Sequence, residues 1–112
     1  ICAFKFPIMG RTTDHGFLWP IARGLAARGH KVTVIAASSP LGRPEIFRDG
    51  VRVFYLHEGF PNDSHLRFED AVYRKFRQLR QSEKFDIVHS IDRSGFRLGR
   101  NKKNLQVAMA YD

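Results

Sequence analysis

Seven consecutive residues, His89-Ser90-Ile91-Asp92-Arg93-Ser94-Gly95, bring an imidazole, a carboxylate, a guanidinium and two hydroxyls to the end of an apolar run. General acid or base catalysis needs groups of this kind at a cleft, where burial and neighbouring charge tune their proton affinity. His89 and Asp92 are therefore the candidate catalytic residues. Both also have an architectural use, His89 as a hydrogen-bonded core residue and Asp92 as the cap of a short helix.

A second candidate is Pro7 to Gly16, which follows the first apolar run and leads into a helix. The free N–H groups of a helix start attract anions, and Arg11, Thr12 and Thr13 add donors for a phosphate. Gly10 and Gly16 serve equally to turn the chain, and Asp14 to cap the helix. A third segment, Ala37 to Gly42, follows the second strand. Neither G-x-G-x-x-G nor a Gly-Lys-Ser/Thr phosphate loop is present. The second strand ends in Ala36-Ala37-Ser38-Ser39, with no acid to hold a ribose, which disfavours an NAD-dependent dehydrogenase. His15, His30, His57, His65 and His89 form no i,i+4 pair and have no Cys at ligand spacing, so no metal site is expected. Cys2 lies inside an apolar strand and is expected to pack there.

Five short apolar blocks must position these segments: Ile1 to Phe6, Val32 to Ala37, Val51 to Leu56, Phe85 to His89 and Leu105 to Ala110. Continuous Val/Ile/Phe runs of this length predict strands buried on both faces. Between the first two blocks, Leu18, Ile21, Ala22, Leu25 and Ala26 recur at helical spacing and predict one buried face. Asp14 or His15 caps its start, Pro20 falls in the first turn, and Gly29 ends it as a left-handed cap. Gly24 in its interior is unfavourable unless the helix approaches the sheet closely there. Ser38 to Gly50 is dense in turn residues and reads as a loop, with one turn around Glu45 to Arg48. Gly59 to Ser64 is a second loop, ending in capping residues. From His65 to Glu83, a stripe of Phe68, Val72, Phe76 and Leu79 opposes Arg67, Arg74, Arg77 and Arg80. Only a short helix fits between Arg93 and Asn104. The alternation predicts an α/β fold with an open, doubly wound, mainly parallel five-stranded sheet. In such sheets ligands bind beyond the carboxyl ends of the strands.

The 112 residues, 43% of them hydrophobic, suit one domain with a single core. Ten Phe argue against disorder, and one Cys excludes an intrachain disulfide and fits a reducing compartment. Nineteen Lys and Arg against 11 Asp and Glu give a net charge of +8, which suits an anionic membrane surface or an ordinary solvated face. No nucleic-acid motif accompanies that charge, so a nucleic-acid partner is disfavoured. Ile1 opens in mid-strand and Asp112 directly follows another apolar run, so a fragment of a longer protein is expected.

Three words share a source. Leu25-Ala26-Ala27-Arg28-Gly29-His30-Lys31-Val32-Thr33-Val34-Ile35 is similar to "La-rGHeVtV", Phe85-Asp86-Ile87-Val88-His89-Ser90 to "pDivHs", and Asp49-Gly50-Val51-Arg52-Val53 to "dGvrV". In this order they resemble the N-terminal half-domain of retaining glycosyltransferases of family 4, which have the GT-B fold. The resemblance implies a two-domain enzyme that moves a sugar from a nucleotide-sugar donor to a glycan or lipid-linked acceptor, without a metal. It implies that Gly10, Arg11, Thr12, Thr13 and Gly16 meet the donor phosphates, that Ser90 and Arg93 contact the acceptor, and that residues 1–112 alone are inactive without the C-terminal donor-binding domain. Cytoplasmic location follows, peripheral to the inner membrane face. Two positions depart from the family. Thr12-Thr13 stands where many members have Gly-Gly, and Ile91 where many have the second His of His-x-His. The role of that His does not carry over, leaving Asp92 or Arg93 as its replacement, while His89 matches the first, more structural His. The alternative reading is a nonenzymatic Rossmann-like module for a nucleotide or phosphate.

Overall fold

The computed structural model describes residues 1–3, 6, 18–37, 44–56, 65–91, 94, 95, 98 and 106–109. Strands β1 (Cys2–Ala3), β2 (Val32–Ala37), β3 (Glu45–Arg48), β4 (Val51–Leu56), β5 (Ile87–Ser90) and β6 (Gln106–Met109) form one sheet, ordered β3-β4-β2-β1-β5-β6. All neighbours are parallel except β3 and β4. The five parallel strands coincide with the five apolar blocks, β5 running one residue past its block to Ser90, and β3 adds an antiparallel edge.

That edge corrects the reading of Glu45 to Arg48 as a turn within a loop. Asp49 and Gly50 both have positive φ, 50° and 81°, as the two-residue hairpin turn with the right twist requires. Asp-Gly was the signal. Ile46 then pairs with Val53 and packs on the core, which a loop would not have done.

Alternation along the strands divides the core in two. Ala3, Val34, Ala36, Val51, Val53 and Tyr55 pack with α1 (Leu18–Ala27) on one face. Cys2, Ile35, Ala37 and Val88 pack with Phe68, Val72 and Phe76 of α2 (His65–Arg80) on the other. The expected stripe of α2 thus faces the sheet, and Phe76 meets Phe85 with ring centroids 5.4 Å apart. Arg52 extends the same face, bonding the Glu83 carboxylate and Thr33 Oγ1 while its guanidinium and the Lys75 ammonium flank the Phe54 ring at 5.1 and 4.3 Å.

Helix α1 is rotated from the expected face. Leu18, Trp19 and Ala22 are buried, whereas Ile21 and Leu25 are 47% and 38% exposed. Buried Ala22 and half-buried Ala26 face the sheet, and Trp19 packs in the same core at the helix start. The end is as expected: Gly29, at φ 92°, donates to the Ala26 carbonyl and His30 to that of Leu25, the two bonds of a Schellman cap. Gly24 is exposed, and a Cβ built on it would meet nothing within 4 Å, so there is no close approach to the sheet. Gly24→Ala is therefore expected to stabilise the protein by about 0.5–1 kcal/mol, read as a higher denaturant midpoint at unchanged slope.

Candidate functional site at the tips of the central strands

The strand order reverses beside β1. The chain steps from β1 to β2 and on to β4, then crosses by α2 to β5 on the other side of β1. Strands β1 and β5 run parallel with Cys2 opposite Ser90, and the Ile91 N–H donates to the Cys2 carbonyl at 2.9 Å. The carboxyl ends of these two strands therefore lie at the same rim, where a crevice forms in folds of this kind. Gly10, Arg11, Thr12, Thr13 and Gly16 in the first segment, and Asp92 and Arg93 in the second, lie outside the described residues.

The described site residues separate by face. His89 is half-buried and shares the α1 side with Ile91, because Val88 and Ser90 alternate to the α2 side. Ser90 is fully buried, and its Oγ accepts the Gly95 N–H at 2.9 Å. A Cβ on Gly95 would lie 2.9 Å from both Ser90 Cβ and Oγ, and 3.5 Å from Cys2 Cβ. The Ser90 side chain is sealed against Gly95 and Cys2, and its hydroxyl holds the corner after β5. Cys2 is buried, as expected.

Two residues at this end carried no chemical signal in the sequence. Tyr55, at the tip of β4, is buried among apolar side chains, and its hydroxyl donates to the Phe6 carbonyl at 2.7 Å. Burial pushes its phenol up to about 12. Glu69, in the first half of α2, is 4% exposed and was hidden by its apolar neighbour Phe68. Helix α2 starts beyond the tip of β4, so Glu69 lies in its crevice-side half.

The model of the "Glycosyl transferase 4-like domain" matches residues 17–109, from the start of α1 through β6. The chain belongs to this family. The resemblance carried by the three motif words is borne out, and the chain is a Rossmann-like N-terminal half-domain of the glycosyl transferase 4-like kind. Among curated proteins it is similar to phosphatidyl-myo-inositol mannosyltransferase from Mycobacterium tuberculosis, strains CDC 1551 and H37Rv, and from Mycobacterium bovis. Each is 31% identical over 91 residues, which cover 80% of this chain. The chain spans 23% of the length of these relatives. No solved structure matches. Among the described residues, no helix of this glycosyl transferase 4-like domain is long and apolar enough to cross a membrane.

Proposed function

We propose that the full-length protein transfers a sugar from a nucleotide-sugar donor to a glycan or lipid-linked acceptor, and that residues 1–112 form the acceptor-side half of its cleft. The observation that carries the reading is the parallel pairing of β1 with β5, which sets the carboxyl ends of the two strands at one rim. Family membership supplies the reaction class, and the mannosyltransferase relatives are named for a lipid acceptor.

In this reading Gly10, Arg11, Thr12, Thr13 and Gly16 meet the donor phosphates. A guanidinium and two hydroxyls on a segment that ends at α1 are apt donors for them. Asp92 assists removal of the acceptor proton, His89 supports it, and Arg93 binds the acceptor. The nucleotide sugar is a co-substrate, and no metal or resident cofactor takes a part. The half-domain alone is inactive, because a GT-B donor site needs the second domain. The protein works at the cytoplasmic membrane face, where exposed Arg74, Arg77, Arg80 and Lys84 suit anionic lipid at about 1 kcal/mol per basic residue near the surface.

The test uses the full-length protein in a transfer assay. Thr12→Ala with Thr13→Ala is expected to raise the donor KM about tenfold and leave the acceptor KM unchanged, the loss of roughly one net hydrogen bond to a charged group. Unchanged donor kinetics would remove the segment from the mechanism.

A further inference from the structure

We propose that Tyr55 is a positioning residue for the donor half of the reaction, its hydroxyl holding the backbone at Phe6, the described residue that precedes the donor segment. The inference rests on the reading that the segment between Phe6 and Leu18 meets the donor phosphates.

Strand β4 is not a neighbour of β1, since β2 lies between them. Tyr55 pairs with Ala36 and Ala36 with Ala3, so the three residues form one row on the α1 face. The two alanines leave a trough across β2, and along it the phenol reaches the Phe6 carbonyl at 2.7 Å. Phe6 is in turn held by Trp19 of the first turn of α1, edge to face at 6.3 Å and 81°. One buried cluster therefore grips the residue just before the segment and a residue just after it.

Packing alone does not explain the hydroxyl. A phenylalanine would fill the same core position without burying a polar group, and a buried hydroxyl is tolerated only when it is bonded. Burial raises its proton affinity, so the phenol stays protonated in the folded protein until pH approaches about 12, and its contribution to stability declines as pH rises from 10 through that value.

The experiment compares Tyr55→Phe with the wild type in the full-length protein. The donor KM is expected to rise about tenfold, with acceptor KM and kcat at saturating donor unchanged. Amide hydrogen exchange at Phe6 and the residues after it should speed up. A latch that only stabilises the fold would lower the thermal midpoint while all kinetic constants and local exchange stayed as they were, and that result overturns the proposal. The Thr12→Ala, Thr13→Ala variant runs alongside. If it raises donor KM while Tyr55→Phe does not, the latch fails and the donor reading stands. If neither variant moves donor KM, both fail.

Discussion

Gly95→Ala is expected to cost about 2–3 kcal/mol of unfolding free energy, seen as a thermal midpoint lower by roughly 10 °C or more. The new methyl would stand 2.9 Å from Ser90 Cβ and Oγ, closer than carbon atoms pack, with Cys2 Cβ at 3.5 Å closing the other side. Ser90 cannot retreat, because β5 is hydrogen-bonded to β1 on one edge and β6 on the other. Any shift of Gly95 instead stretches its buried N–H away from its acceptor, Ser90 Oγ. The companion variant locates the cause: Gly95→Ala with Ser90→Gly should recover only the steric part of the loss, since it removes both clashing atoms together with the acceptor of the residue 95 N–H. An alanine tolerated without cost would show that the corner after β5 is not packed as described.

Gly50→Val is the other severe change, at about 2–4 kcal/mol. Gly50 sits at φ 81°, where a residue with a Cβ is strained by roughly 1–2 kcal/mol, and a β-branched one by more. A Cβ there would also come within 3.1 Å of Ala26 Cβ on α1, so one glycine both turns the hairpin and lets the helix pack against it. Equilibrium denaturation separates the two effects. Gly50→Asn tolerates the left-handed turn but keeps the collision, so it should fall between the wild type and the valine variant. Adding Ala26→Gly should relieve the remainder. A valine variant as stable as the wild type would rule out the tight turn.

Much of the fold was legible because each signal was local. Val32 to Ala37 and Val51 to Leu56 are unbroken apolar runs whose two faces are both buried, so their assignment needed no knowledge of neighbours. Gly29 announced the end of α1 through its own backbone. Helix α1 shows where this stops: Ile21 and Leu25 match the helical period as well as Trp19 does, and periodicity does not say which of two overlapping stripes meets the sheet. The hairpin strand was missed for a related reason. Glu45-Ile46-Phe47-Arg48 has only two apolar residues, and Phe47 is 73% exposed, so β3 owes its existence to pairing with β4.

By itself, the sequence determined the alternation of strand and helix and the membership of the glycosyl transferase 4-like family. Only the tertiary structure decided that Ser90 turns inward to hold Gly95, that α1 presents Ile21 and Leu25 to solvent, and that Tyr55 reaches over β2 to Phe6. Neighbouring residues constrain backbone conformation and hydrophobic period. Which side chain meets which is settled by pairing between strands far apart in the chain: Tyr55 and Phe6 are 49 residues apart, and no local pattern records a contact over that distance.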